Sequence, residues 1–420
     1  MRVACGIDFG TSNSTVALAD GSGAVRQVDI EGEALTAPTL LYFGEEPPPQ
    51  FGAAAAEAYA AEDLMGRLIQ SIKRHLPAAG FEGTFINERF RSLEELVAGY
   101  LRFLRAAAER EAGQPVTAAL LGRPARFHAE ADRDALAQRR LESAARLAGF
   151  TEVAFQLEPI AAARRFERSL SEDVLCLVGD FGGGTSDFTV IRLSPRHAGR
   201  VDRSEDILGV AGVAVGGNDF DARLMMRTVL PHFGHNTEYQ PMGKWMTISP
   251  SLHLAVTRWH TACLAATDDN LAQLKVMMRT ARDRDGLARL YELLDEGYFF
   301  RLFQSVEATK VALSSQEEAP FVFKAGSIDI EDTVQRSDFE RAIGRELGKV
   351  SVCVDGLLSD LSLKASDIDV VFLTGGSSRV PAVRRLFTER FGDRIAEMEA
   401  LTSVGFGLGV EAGERLAQGA

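Results

Sequence analysis

One short phrase occurs twice in this chain of 420 residues, and the repeat narrows sharply what the chain can fold into. Near the start it reads Val3-Ala4-Cys5-Gly6-Ile7-Asp8-Phe9-Gly10-Thr11-Ser12-Asn13-Ser14. Downstream it reads Val174-Leu175-Cys176-Leu177-Val178-Gly179-Asp180-Phe181-Gly182-Gly183-Gly184-Thr185-Ser186-Asp187. Each copy is an apolar strand ending in Asp, a glycine turn, a Thr and a Ser, then a second strand (15–19 and 188–193). The glycines let the backbone reach positive φ and come close to an anion. The N–H groups of such a turn cradle that anion, and the hydroxyls add donors. A carboxylate cannot touch phosphate directly, so Asp8 and Asp180 each imply a hydrated Mg²⁺. Two such hairpins on two similar halves would grip one nucleoside triphosphate from both sides. A lone glycine turn after a strand is usually just a hairpin; two copies that both carry Asp-Phe-Gly make coincidence a poor account. Neither copy is a P-loop, since no G-x-x-x-x-G-K-[ST] is present. Nor are these kinase triplets, because Asp8 leaves no room for a preceding lobe.

Composition sets the outer limits. With 46% hydrophobic residues, the chain has material for two sizeable cores, and the length allows about three domains. A net charge of −13 argues against nucleic acid or an anionic membrane as the main partner. The four cysteines, Cys5, Cys176, Cys263 and Cys353, show no C-x-x-C spacing, so no zinc site or disulfide framework is indicated. Asp8 interrupts the first apolar run, which disfavours a signal peptide, and no run reaches the ~18 apolar residues of a membrane span. The expectation is a cytoplasmic monomer.

Along the chain, strands and helices alternate. The first copy leads to a strand at 39–43 and the loop Pro47-Pro48-Pro49, then helices at 53–61 and 93–112. A strand at 117–121, a helix at 131–148 ended by Gly149, a strand near 153–156 and a helix from Glu158 follow. The second copy restarts the scheme and runs into a long helical region. Beyond it come a strand at 369–374, the turn Gly375-Gly376-Ser377 and a helix at 380–391. This alternation predicts an α/β fold with mixed sheets, and the restart indicates an ancient duplication into two lobes around a cleft.

Three further clusters suit such a cleft. Glu307, Lys310 and Ser314 stand at i, i+3 and i+7 of a helical stretch and share an arc of about 60°. That face offers an acceptor, a cation and a hydroxyl to ribose and adenine edges, although taken alone it reads better as a solvated face with an ordinary Glu–Lys pair. The turn Gly375-Gly376-Ser377-Ser378-Arg379 lies between a strand and a helix N-terminus, a usual anion or nucleoside position or else an ordinary connection. Lys73, in Ile72-Lys73-Arg74, fits a site or a surface.

In order and spacing these segments resemble the ATPase domain of the heat shock protein 70 chaperones, within the actin-like ATPase superfamily, and most closely its divergent bacterial YegD-like branch. The two phosphate phrases match the family's two phosphate loops. Gly216-Gly217-Asn218-Asp219-Phe220-Asp221 resembles its glycine-led motif, and Leu157-Glu158-Pro159-Ile160-Ala161-Ala162-Ala163 its connecting segment. Gly122-Arg123-Pro124-Ala125 carries the proline that the family uses in coupling. The resemblance implies a duplicated ribonuclease-H-like fold. Lobe I would take 1–170, with core 1–37 and 114–170 and an outer subdomain 38–113. Lobe II would take 171–401, with core 171–217 and 335–401 and an outer subdomain 218–334. A helix at 402–420 would return to lobe I.

The resemblance also implies roles. Asp8 and Asp180 would hold hydrated Mg²⁺, and Lys73 and Glu158 would orient the attacking water. Thr11, Thr185 and Asp187 would stand near the γ-phosphate. Gly10, Ser12, Asn13, Gly182, Gly183, Gly184, Gly216, Gly217, Gly375, Gly376 and Ser377 would line the phosphates and neighbouring nucleotide. Glu307, Lys310, Ser314 and Arg379 would contact the nucleoside, Arg379 by stacking its planar guanidinium on adenine. Metal, positioned water and cation suffice for phosphoryl transfer to water.

Departures shape the expected function. The family's interdomain linker and β-rich peptide-binding domain have no match in this sequence. The interval 222–306 looks enlarged and reads as a packed helical insertion carrying Trp245, Trp259, His232, His235, His253 and His260. His232-x-x-His235 lacks the further ligands of a metal site. Before the last helix, Leu401-Thr402 stand where an acidic residue is expected, with Glu399 slightly earlier. The expected function is a slow, chaperone-like ATPase that binds ATP/ADP and acts on a protein partner or client. A small-molecule kinase and a filament-forming actin-like protein are the alternatives.

Overall fold

A computed structural model describes residues 2–417 apart from 33, 46–47, 63–65, 198–199, 201–202, 259–260, 263–264 and 397–401. Pro47, Trp259, His260, Cys263, Glu399 and Leu401 therefore lie outside the described residues. The chain forms two compact units, Met1–Ala214 with Val352–Ser378 and Phe387–Ala420, and Val215–Ser351 with Arg379–Leu386.

The first unit contains both copies of the repeated phrase, each at the centre of its own sheet. Val3–Phe9 pairs antiparallel with Asn13–Asp20 and parallel with Ala118–Arg123, which in turn pairs parallel with Glu152–Leu157. Val174–Phe181 pairs antiparallel with Ser186–Leu193 and parallel with Val370–Thr374, which pairs parallel with Ile395–Ala396. On the far side of each hairpin a third antiparallel strand is added, Val25–Gln27 in one sheet and Ile207–Val213 in the other. The two sheets thus share one path of mixed orientation, as the duplication predicts. Their central strands are covered on both faces, so they read as continuous apolar runs rather than alternating ones.

The helix Leu93–Ala112 begins at a capping box, Ser92 with Glu95, and ends at Gly113 in the left-handed region. Its buried stripe of Leu93, Leu96, Val97, Tyr100, Leu101, Leu104 and Ala108 follows helical spacing and joins the core beneath the first sheet. The C-terminal helix Ser403–Ala417 packs on Val3–Phe9, Asn13–Asp20 and the helix Glu158–Glu167. Its glycines permit the close approach: a Cβ on Gly407 would overlap the carbonyl oxygen of Ala161. Polar groups tie the contact, with Gln156 Nε2 donating to both Glu411 carboxylate oxygens at 2.8 Å and Arg164 paired with Glu414.

In the second unit the expected long helical region is interrupted. Helices Gly217–Leu224, Asp268–Met278, Arg284–Asp295 and Phe299–Leu313 are followed by a hairpin of Glu318–Ala325 and Ile328–Gln335. Its first strand buries Ala319, Phe321, Phe323 and Ala325 and exposes the residues between them, a period-two signal that the helical reading passed over. Ile207–Val213, in the first unit, is likewise a strand where none was expected. His232 pairs with Asp332 at 3.1 Å, and His253 bonds the Phe233 carbonyl. Among the described residues no group of three His, Cys, Asp or Glu is placed to hold one metal ion. No helix of the described residues is long and apolar enough to cross a membrane.

Candidate nucleotide and cation site

In the first unit the ends of the central strands bring together residues far apart in sequence. Asp8 lies opposite Thr15 in its hairpin, and Asp180 opposite Asp187. The turn after Asp8 closes only around glycine, since a Cβ on Gly10 would overlap the Asn13 carbonyl oxygen. Thr39 then bonds this turn from outside: its Oγ1 donates to the Gly10 carbonyl at 2.9 Å, and its N–H to that of Ser12 at 2.8 Å. In the second copy the Gly182 N–H donates to the Thr185 carbonyl at 2.9 Å, closing Gly182, Gly183 and Gly184 into a partly exposed turn.

Lys73 sits on a single 3₁₀ turn, Ile72–His75, and its ammonium donates to Glu158 Oε1 at 2.8 Å. Glu158 opens the helix Glu158–Glu167, with proline next to it in the first turn, so a short rigid element holds the carboxylate. Both partners of this ion pair are largely buried. The Asp180 carboxylate accepts from Thr374 Oγ1 at 2.9 Å, and Asp187 accepts from Thr185 Oγ1 at 3.1 Å. Neither Thr39 nor Thr374 was among the expected site residues. Thr374 comes from the strand Val370–Thr374, whose register sets it beside Asp180, and Thr39 from the link between Ala37–Pro38 and Leu40–Phe43; only the fold reveals either partnership.

Four carboxylates, Asp8, Glu158, Asp180 and Asp187, thus share one neighbourhood with Lys73, an excess of negative charge that raises Asp8, Asp180 and Asp187. Burial, then the Glu158 carboxylate, pushes Asp8 up to about 8 in spite of Lys73. Asp180 is raised by burial and then by Glu158, against the Thr374 hydrogen bond. Asp187 lies at the exposed rim, yet surrounding protein and then Asp180 push it up to about 6. Burial alone would lower Lys73, but Glu158, Asp8 and Asp180 outweigh it and hold its ammonium charged. Such a cluster fits a divalent cation, which would relieve the repulsion. Among the described residues no three His, Cys, Asp or Glu side chains come close enough to ligate one ion directly, so a cation held here would keep much of its water, as Mg²⁺ does. Glu158, Asp180, Thr185, Asp187 and Thr374 also line a cavity of about 620 Å³.

The other expected residues divide between the units. Thr11 is half-buried, while Ser12 and Asn13 are exposed on the first turn. Gly375 turns the chain after Thr374 at φ +81°, followed by Gly376 and buried Ser377. In the second unit Gly216 and Gly217 begin the helix Gly217–Leu224, and the Gly216 N–H is capped by Asp219 at 3.1 Å. Lys310 is not a free cation: its ammonium pairs with buried Asp221 at 2.8 Å, and Asp221 Oδ1 has no partner. Glu307 is exposed on the same helix, and Ser314 ends it, donating to the Lys310 carbonyl at 3.3 Å. Arg379 is exposed on the turn Gly376–Arg379.

The family model described as Hsp70 protein matches residues 78–242 and 292–413, more than half of the chain. The chain belongs to the Hsp70 family. The gap in the match, between 242 and 292, falls inside the interval 222–306 that looked enlarged. Similar curated Hsp70-family proteins include the chaperone protein DnaK of Mycoplasmopsis synoviae (strain 53), 27% identical over 415 residues, 96% of this chain and 57% of that protein. The chaperone protein DnaK of Deinococcus deserti is 28% identical over 441 residues, 98% of this chain and 60% of that protein. The chain thus spans less than two thirds of the length of these relatives.

Proposed function

We propose that this Hsp70-family chain binds ATP with Mg²⁺ and hydrolyses it slowly, as a switch acting on a protein partner or client. The observation that carries the reading is the Lys73–Glu158 ion pair, 2.8 Å long, set among Asp8, Asp180 and Asp187 at the ends of the duplicated strands. Asp8 and Asp180 would hold the hydrated cation, which when bound offsets the charge of the phosphates. The turns 10–13 and 182–184 would offer their N–H groups to the phosphates, with Thr11 and Thr185 adding hydroxyl donors. Lys73 stays charged and donates to a γ-phosphate oxygen as negative charge grows there. Glu158 accepts a hydrogen bond from the attacking water and fixes its direction, with Asp187 beside it as a further acceptor. Gly216, Gly217, Gly375, Gly376 and Ser377 complete the nucleotide contacts in this proposal, and Glu307, Lys310, Ser314 and Arg379 serve the nucleoside.

The names of the DnaK relatives support a chaperone role at the level of the family. Phosphate release under single-turnover conditions, with and without Mg²⁺ and with cell extract as a source of partners, tests the proposal. Mg²⁺-dependent release supports hydrolysis. ATP binding without release under any of these conditions would reduce the protein to a nucleotide-sensing module.

A further inference from the structure

A second cavity lies in the first unit, away from the carboxylate cluster. It is a groove of about 590 Å³ between the strand region around Phe43 and Phe51 and the helix Leu93–Ala112. That volume is in the range of sites for small organic ligands. Its apolar wall is made by Phe43, Phe51, Leu96 and Phe103, with the rings of Phe51 and Phe103 stacked at 6.0 Å. The three aromatic side chains are only partly buried, so the groove keeps apolar surface in contact with water. Gly99 faces Phe51, and a Cβ there would come within 3.2 Å of the ring, which keeps the helix close to this wall.

The charged groups on the rim are Arg91, Arg102 and Glu95. Glu95 is already committed, accepting from the Ser92 N–H in the capping box at 2.9 Å. Arg102 gives one N–H to the Leu147 carbonyl at 3.2 Å and has no carboxylate partner among the described residues. Arg91 has no such partner there either, and its Nε is buried with no hydrogen-bond acceptor. A buried donor left unpaired is costly, and a guanidinium is built to accept a planar or tetrahedral anion. The rim therefore carries one unmatched positive charge beside an aromatic wall.

We propose that this groove binds a small amphipathic acid, with an apolar body on Phe51 and Phe103 and a single carboxylate or phosphate head on Arg91 and Arg102. One anionic head balances the rim, and the apolar body covers the exposed rings. The groove does not share residues with the carboxylate cluster, so this site stands or falls independently of nucleotide turnover.

Calorimetric titration of the full chain with decanoate, decyl phosphate and decanol, each below its aggregation concentration, tests the idea. Saturable binding of at least one acid, tenfold or more tighter than decanol, is expected. The comparison of the two acids decides between carboxylate and phosphate heads. Arg91→Gln with Arg102→Gln should erase the preference for acid over alcohol, and Phe103→Ala should weaken both. Should the double variant melt early, Arg102→Gln alone should still reduce the preference. No saturable binding, equal binding of acids and decanol by the unaltered protein, or a preference that survives both arginine changes would overturn the proposal.

Discussion

Replacing Lys73 by alanine is the most searching perturbation of the proposed chemistry. Its ammonium is the cation that the structure sets against Asp8, Glu158, Asp180 and Asp187, and it is fixed by a 2.8 Å bond to Glu158. Its charge is held by those carboxylates, so it is ready before any substrate arrives. In the proposed reaction its contribution would grow as charge develops on the γ-phosphate. Losing one preorganised contact of this kind costs on the order of 3 kcal/mol, or about 100-fold in rate. ATP affinity should change far less, because in the proposed site the two turns and the cation would supply most ground-state contacts. Breaking a buried pair usually costs about 3–5 kcal/mol of stability. Here the cost should be smaller near pH 7, because the cluster can take up a proton in place of the lysine charge. The assay is single-turnover phosphate release with ATP affinity measured in parallel. A Lys73→Ala protein that hydrolyses ATP at the unaltered rate, where that rate is measurable, would refute the role.

Other predictions follow from the same cluster and from the second unit. Asp8 titrates at about 8 when folded and near its ordinary value of 3.8 when unfolded, so the folded chain binds more protons between these values. Without a divalent cation the melting temperature should fall as pH rises from about 4 to about 8, and Mg²⁺ should flatten that fall. Asp8→Asn mimics the protonated group and should raise the cation-free melting temperature at pH 8.5 while abolishing the response to Mg²⁺, as read by thermal melts. Ser314→Leu should weaken ATP binding with little change in melting, because a bulky apolar group replaces a proposed nucleoside donor; unchanged affinity would remove Ser314 from the site. Lys310→Met strands buried Asp221 and should cost roughly 3 kcal/mol in denaturant unfolding. Adding Asp221→Asn should recover part of that loss, and no recovery would show that the pair is not the source.

Much of this architecture could be read in the chain because the signals are local. An apolar strand, an Asp and a glycine turn are contiguous, so the two phosphate phrases and their hairpins were visible at once. The helix Leu93–Ala112 was likewise visible as a contiguous helical pattern. The hairpin 318–335 was legible too, in the alternation of Ala319, Phe321, Phe323 and Ala325, but its neighbourhood of helices outweighed the short period. What the sequence withheld was pairing over distance. Thr374 reaches Asp180 through a parallel register 194 residues away, and Lys310 reaches Asp221 across 89 positions. On a helical wheel Lys310 shared a face with Glu307 and Ser314, as a nucleoside contact or as half of a solvated Glu–Lys pair. Folding places it against a buried carboxylate, and no periodicity reports that. The titration of Asp8 is likewise a property of the assembled cluster, since it depends on burial and on Glu158, which lies 150 positions further along the chain.

If the duplicated strands build a site for ATP with Mg²⁺, calorimetric titration of the unaltered protein with ATP will show it. Saturable binding of one ATP in the presence of Mg²⁺, much weaker binding when the cation is chelated, and loss of the Mg²⁺ effect in Asp8→Asn are expected. An absence of ATP binding by the folded protein at millimolar Mg²⁺, or binding indifferent to both the cation and Asp8, would contradict it.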